Sequence, residues 1–401
     1  MSAFACMHFQ DASLLEFQKR LREQRQQDNL LTLFKIQKCP ESTQLREIID
    51  PIDSQWFRPV FKDYFTRLQR GKHLAKFQLP DGLYYCSLDG TQYFHSETIS
   101  CPHCLVTNHR SGTTSYTHKM VQAAILHPDC RQVIPLMPEE VKNTDGTAKQ
   151  DCEINAAKRL IPNLREDHPR LKFLIGGDDL FAHQPFITLL LDHRMHYLLV
   201  AKPTSHETLM ADVATRTAQI QTRRIPDDEG RIHVYEWLNH VPLNGAKDTL
   251  FTNFLRFRII TLDGHGHEKI HYANSWITDQ FLSADNVELL VRTGRSHWKI
   301  ENECFNTLKN QGYHLEHNFG HGQQHLSFTM ILLTLLAFFC HQIFELTDPL
   351  FQDCRHKFGS KHHLWETLRS YIKIIVFDTW EMLLAFALSP TRYRLVPIAP
   401  G

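Results

Sequence analysis

Apolar residues recur at three- and four-residue intervals through residues 1 to 80, as in ASLLEFQKRLREQRQQ and SQWFRPVFKDYFTRLQRGKHLAKF. That spacing gives a helix one apolar face. The pattern then tightens into short runs rich in aromatic and β-branched residues. GLYYCSLDG, HKMVQAAIL and RQVIPLM predict strands, and DCEINAAKRLIPNL predicts a helix. After them LKFLIGGDD reads as a buried strand, HQPFITLLLDH as a helix and HYLLVAKP as a strand. Strands, helix, strand, helix, strand is a mixed α/β order.

From about residue 204 to 288 the pattern changes again. RIHVYEWL, LFTNFLRFRIITL and KIHYANSWIT predict strands joined by turn-rich stretches such as DGHG, which reads as an antiparallel β insertion. Helical sequence resumes near Asn286 and continues to about Leu388. The expected organisation is a helical region over 1–80, an α/β core over 81–203, a β-rich insertion over 204–288, a core helix over 289–325 and a C-terminal helical segment over 326–401. Neither repeats nor low-complexity stretches interrupt it. The longest apolar run, Leu326 to Cys340, is about 15 residues and contains Ser327 and Thr329, short of the ~20 that span a bilayer. It predicts a buried helix, so no membrane partner is expected.

Hydrophobic content of 42% and charged content of 22% belong to an ordinary folded chain and exclude disorder as the default. The 44 basic and 44 acidic residues cancel, so any contact with nucleic acid depends on how charge is distributed. The first 80 residues hold about four more basic than acidic side chains, which suits either phosphate contacts or a solvated helical face. Ten cysteines without a secretory leader predict free thiols and a cytoplasmic location.

Three carboxylates stand at informative places: Asp89 after LYYCSL, Asp178 after LKFLIGG, and Glu301 within the helix-forming RSHWKIENECFNTLKNQGY. Two-metal phosphoryl transfer needs hard oxygen ligands converging on cations about 3.5 to 4 Å apart, and two strand-end aspartates plus a helical glutamate would supply them. Each acid also has a structural reading. LDGT suits a turn at Asp89, Asp178 or Asp179 could cap the next helix, and Glu301 could pair with His297 one turn back. Asp178 is the preferred second ligand, with Asp179 placed to start the helix.

LDGTQYFHSETISCPHC, LIGGDDLFAHQPFI and above all RSHWKIENECFNTLKNQGYHLEHNFGHG resemble the motifs of DDE transposases of bacterial insertion sequences, over about residues 80 to 325. The resemblance implies a ribonuclease H-like core with a β insertion, in which Asp89, Asp178 and Glu301 bind two Mg²⁺ (or Mn²⁺) ions. It implies metal-dependent cleavage at the element's ends and strand transfer into target DNA. The partners implied are terminal inverted repeats, target DNA and a second copy of the chain in a homodimer on DNA, nucleoid-associated when bound. The family's helix motif has tyrosine and arginine ahead of the glutamate and lysine after it. Here those positions hold Gly294 and His297, Arg295 stands two residues from the expected arginine, and Lys309 comes one residue late. Arg295, His297, Trp298 and Lys309 are the candidate DNA contacts. A nuclease without strand transfer, or a non-catalytic DNA-binding derivative, would carry the same motifs.

CPHCLVTNHRSGTTSYTH offers Cys101, Cys104, His109 and His118 as ligands for a structural zinc, with His103 as competitor; reduced thiols and surface histidines are the alternative. The histidines of GHGQQH and KHH read as loop and surface residues. Trp237, Trp276 and Trp298 could stack on an unpaired base or pack in the core.

Overall fold

The computed structural model describes residues 1–22, 24–143 and 151–394; positions 395–401 of the expected C-terminal segment lie outside them. Five helices come first: α1 (Ser2–His8), α2 (Leu14–Leu21), α3 (Gln24–Phe34), α4 (Ser42–Ile49) and α5 (Arg58–Arg70). The Ser13 hydroxyl accepts the Glu16 amide at the head of α2, satisfying a first-turn N–H that has no helical partner.

The α/β part begins with β1 (Leu83–Ser96), β2 (Leu105–Asn108), β3 (Thr114–Leu126), β4 (Ile134–Pro135) and β5 (Glu139–Val141). It continues through α6 (Glu153–Asp167), β6 (Lys172–Gly177), α7 (Gln184–Asp192) and β7 (His196–Val200). Then come α8 (Glu207–Thr215), β8 (Gln221–Pro226), β9 (Ile232–Pro242), β10 (Phe251–Leu262) and β11 (Glu268–Thr278). The remaining helices are α9 (Val287–Arg295), α10 (Thr307–Asn310), α11 (Leu326–Thr347), α12 (Pro349–Phe358), α13 (Lys361–Ile374) and α14 (Trp380–Leu388), with a π-helical segment, Ile300–Asn306, leading into α10.

These strands form one mixed sheet in the order β2-β3-β1-β6-β7-β11-β10-β9-β8, with β4 and β5 joining β2 along the outer edge of β3. The β1–β6 and β6–β7 pairs are parallel and the others antiparallel. The mixed α/β class read from the sequence is therefore the observed one. The predicted β insertion is an antiparallel meander, and β11 pairs with β7 through Trp276↔Val200, so it prolongs the core sheet. β8, QTRRIP, is mostly exposed and lacks apolar alternation, which is why the sequence pattern did not reveal it.

The turn reading of LDGT is incorrect. β1 continues to Ser96 because β3 remains paired with it as far as Ser96↔Tyr116, whereas its ladder with β6 ends at Ser87↔Gly176. Asp89 therefore lies mid-strand, yet just beyond the parallel ladder.

Two apolar cores share α11. Phe328, Ile331, Leu335 and Phe339 face the sheet core, whereas Leu326, Met330 and Ala337 join a helical core built from α1–α4 and α12–α14. Helices α1–α4 and α12–α14 are thus one packed body, which includes Phe9, Phe17, Phe34, Phe351 and Trp365, whereas α5 joins the sheet core through Phe61, Phe65 and Leu68. α11 is long and apolar enough to cross a membrane, but 78% of its most apolar window is buried inside the protein. Leu335→Ala, at a fully buried position, is expected to destabilise the chain by about 3 kcal/mol. Because α11 belongs to both cores, urea unfolding monitored by tryptophan fluorescence and by circular dichroism should shift together.

Candidate functional site

The end of the parallel β1–β6 ladder sets the position of two acids. Extending its register two residues past Ser87↔Gly176 brings Asp89 level with Asp178. The π-helical segment carrying Glu301 packs on β1. In such a segment the backbone bonds reach one residue further than in an α-helix, a geometry common at functional sites. Glu301 is exposed, while Asp89 and Asp178 are half-buried.

The Asp89 carboxyl senses its acidic neighbours. Burial pushes the Asp89 carboxyl up to about 7, and the negative charges of Asp178, Glu301 and Glu153 push in the same direction, against a 2.8 Å hydrogen bond donated by the Gly90 amide. Among the described residues, no Lys or Arg pairs within 4.0 Å of Asp89, Asp178 or Glu301. This uncompensated negative charge fits divalent cations. The oxygens of the three acids do not all lie within 4.8 Å of one another, a closeness reached among the described residues by a Cys/His group alone. Uncompensated carboxylates repel one another.

The two aspartates of LIGGDD divide their duties. Asp179 accepts the Lys202 amide at 2.7 Å and the Ser205 hydroxyl, and lies 3.3 Å from His206 Nε2, so both its oxygens are used within the fold. Asp178 caps the short turn Asp179–Phe181 through one oxygen, 3.0 Å from the Leu180 amide. The short 3-10 turn does begin at Asp179, with Asp178 rather than Asp179 as its cap, and α7 begins only at Gln184; among the described residues, the second Asp178 oxygen makes no hydrogen bond.

Glu153 was not singled out from the sequence. It sits in the first turn of α6, a place where acids are common for the helix dipole alone. A Cβ built on Gly90 would stand 2.5 Å from the Glu153 carboxyl carbon, so glycine in the DG pair gives room to a fourth acid. Lys119 lies 3.6 Å from that carboxylate.

The candidate DNA contacts differ in availability. His297 Nδ1 is 2.5 Å from the Ser87 hydroxyl; burial lowers its pKa, against the pull of Asp178 and Glu301. It is an inward-held neutral imidazole at the acidic site and not a free cation. Arg295 lies over the Tyr272 and Phe257 rings, 4.8 and 5.3 Å from their centres. Lys309 pairs with Glu316 at 2.8 Å. Trp298 is 49% exposed and lines a groove of about 450 Å³ with Arg131, Arg292 and Lys299. Trp237 and Trp276 are buried in the core, so neither offers a face to a base. Gly294 stands where the resembling motif has tyrosine because the Trp276 indole occupies that space: a Cβ there would lie 2.7 Å from its Nε1.

The Cys/His group is Cys101, Cys104, His118 and His321, compatible with a structural metal. The expected His109 is absent from it. His109 is exposed in the β2–β3 hairpin, its Nε2 2.8 Å from the Ser115 hydroxyl. His103 is likewise exposed and outside the group. His321, from the GHGQQH stretch assigned to loop and surface, takes the fourth place. Burial raises the Cys104 thiol to about 11, against a hydrogen bond from the Cys101 amide, and burial lowers His118 to about 4.

No family model matches this chain, and no curated protein matches it significantly.

Two measurements follow for the metal-free protein. The Asp89 carboxyl titrates higher folded than unfolded, so its charge destabilises the fold as pH rises from about 4 through 7. Asp89→Asn should therefore raise thermal stability at pH 8, by on the order of 1 to 3 kcal/mol, with the gain shrinking towards pH 4 in calorimetric scans. Gly294→Ala should lower stability by about 1 to 3 kcal/mol in urea titrations, through overpacking against Trp276.

Proposed function

We propose that the chain is a DDE-type transposase with a ribonuclease H-like core, which cleaves DNA at the ends of an insertion sequence and joins them to target DNA. The observation that carries this reading is the placement of Asp89 level with Asp178 at the end of the β1–β6 ladder, with the Glu301 segment packed on β1 and no Lys or Arg pairing with the three acids among the described residues. The topology supports it. With β2, β4 and β5 sharing the outer edge of β3, Asp178 follows the fourth strand position, and the Glu301 segment comes after the β8–β11 meander. These are the places the resembling family gives its three acids.

Asp89, Asp178 and Glu301 would hold two Mg²⁺ or Mn²⁺ ions, with Glu153 adding negative charge. Bound there, such ions activate an attacking oxygen and stabilise the leaving oxygen of a phosphodiester. The chain's own residues prepare the site. Neutral His297, tethered by Ser87, adds no positive charge that would compete with a cation. Lys299 Nζ donates to the carbonyl oxygens of His127, Pro128 and Cys130 at 2.7 to 2.8 Å, fixing the 127–130 loop against the segment before Glu301. The exposed Trp298 ring is available to stack on an unpaired base. Arg131 and Arg292, now paired with Glu303 and Asp129, can exchange those partners for phosphates. Two copies, one on each element end, would complete the assembly.

The test uses the full chain, Mn²⁺ and a labelled duplex carrying the sequence that flanks its gene, with target DNA present. Cleaved and joined products are expected, and each of Asp89→Asn, Asp178→Asn and Glu301→Gln should abolish both. Cleavage without joining would identify a nuclease, and binding without cutting a non-catalytic DNA-binding protein. Trp298→Ala should weaken binding of frayed ends by about 1 to 3 kcal/mol, measured by fluorescence anisotropy.

A further inference from the structure

Away from the acidic site, the chain between β1 and β2, the first half of β3 and the segment between α10 and α11 meet at the Cys/His group. We propose that Cys101, Cys104, His118 and His321 form a tetrahedral Zn²⁺ site that clamps the 314–325 segment to the sheet. This goes beyond the transposase reading and stands independently of it.

The separations are those of a coordination shell. Zn–S bonds of about 2.3 Å and Zn–N bonds of about 2.0 to 2.1 Å place tetrahedral ligand atoms about 3.8 Å apart for two sulfurs and about 3.5 Å for sulfur and nitrogen. Cys101 Sγ and Cys104 Sγ are 3.6 Å apart, and each lies 3.3 Å from His118 Nε2. Cys104 Sγ is 4.0 Å from His321 Nδ1. Two thiolates and two imidazoles favour zinc over hard cations such as Mg²⁺ or Ca²⁺.

The surroundings fit the same ion. Cys104 and His118 are fully buried, and Cys101 and His321 half-buried. The Cys101 amide donates to Cys104 Sγ at 3.3 Å, which favours a thiolate. Phe94 packs edge-on against His321 with ring centres 4.2 Å apart, and Tyr93 stacks on His118 at 5.6 Å. Each ring meets the thiols through its other nitrogen, Nε2 of His118 and Nδ1 of His321, and among the described residues His118 Nδ1 and His321 Nε2 have no hydrogen-bond partner.

The clamp has a counterpart on the other side of the same segment. The Asp50 carboxylate accepts the amides of Gln323, Gln324, His325 and Leu326 at 2.7 to 3.1 Å, and Arg46 Nε donates to the Phe319 carbonyl oxygen at 2.8 Å. His321 therefore lies between anchors to the α4 end and to the sheet. Zinc would tie the chain leaving the Glu301 segment to the sheet before it enters α11.

The full chain, purified with zinc present, should hold one Zn²⁺ per molecule by elemental analysis. After zinc is stripped and replaced by Co²⁺, it should show the visible absorption of tetrahedral cobalt with two thiolates. His321→Ala and Cys104→Ser should lose the zinc, while His109→Ala and His103→Ala keep it. Asp89→Asn should also keep it, which separates this site from the acidic one. Should a ligand variant fail to fold, alkylation of the unaltered protein decides: Cys101 and Cys104 should be protected with zinc and labelled after its removal. A chain without zinc, without the cobalt spectrum and with both thiols equally reactive in either condition would overturn the proposal. So would loss of the ion from His109→Ala but not from His321→Ala.

Discussion

The parallel pairing of β1 with β6 is the constraint from which the arrangement of the molecule follows. A parallel pair has to be covered on both faces, and these two strands are almost entirely buried along the length they share. Where the ladder stops, each strand carries an aspartate, Asp89 on the continuing β1 and Asp178 just past β6. The same burial that fixes the register raises the free energy of placing charge there, so the acidic site is held in a strained electrostatic state by apolar packing well away from it.

α11 plays the corresponding part for the helices. Its surface is apolar nearly all round, so one covering layer would leave part of it in water. The sheet takes one side, and helices from both ends of the chain take the other. Division into sequential regions is therefore a poor guide to the packing. Asn29 illustrates this: its side chain donates to the Ile372 and Ile375 carbonyl oxygens and accepts the Phe377 amide, joining α3 to the end of α13.

What was legible in the sequence follows from how local each signal is. Strands with apolar runs and helices with a periodic face could be read directly, and so could three acids beside such runs and a Cys-x-x-Cys pair with His118. Glu153 and His321 could not, because each takes its role from a partner far away in the chain, and its own neighbourhood suggests a first-turn acid or a loop histidine. Gly90 misled for a related reason. Glycine next to aspartate suggests a turn, yet here it makes room for a carboxylate. Asp179 shows the opposite case: only its hydrogen bonds to residues 202 and 205 separate it from its neighbour.

The π-helical segment also governs the direction of everything downstream of it. Such a turn accommodates one residue more than an α-helical turn, and a single residue corresponds to about 100° of rotation around an α-helix. Lys309 lies in the short helix that follows Ile300–Asn306, so the wide turn sets the face on which the lysine stands. The departure from α-helical winding is confined to that one wide turn, leaving a single-residue deletion within 302–306 as a route to an ordinary helix.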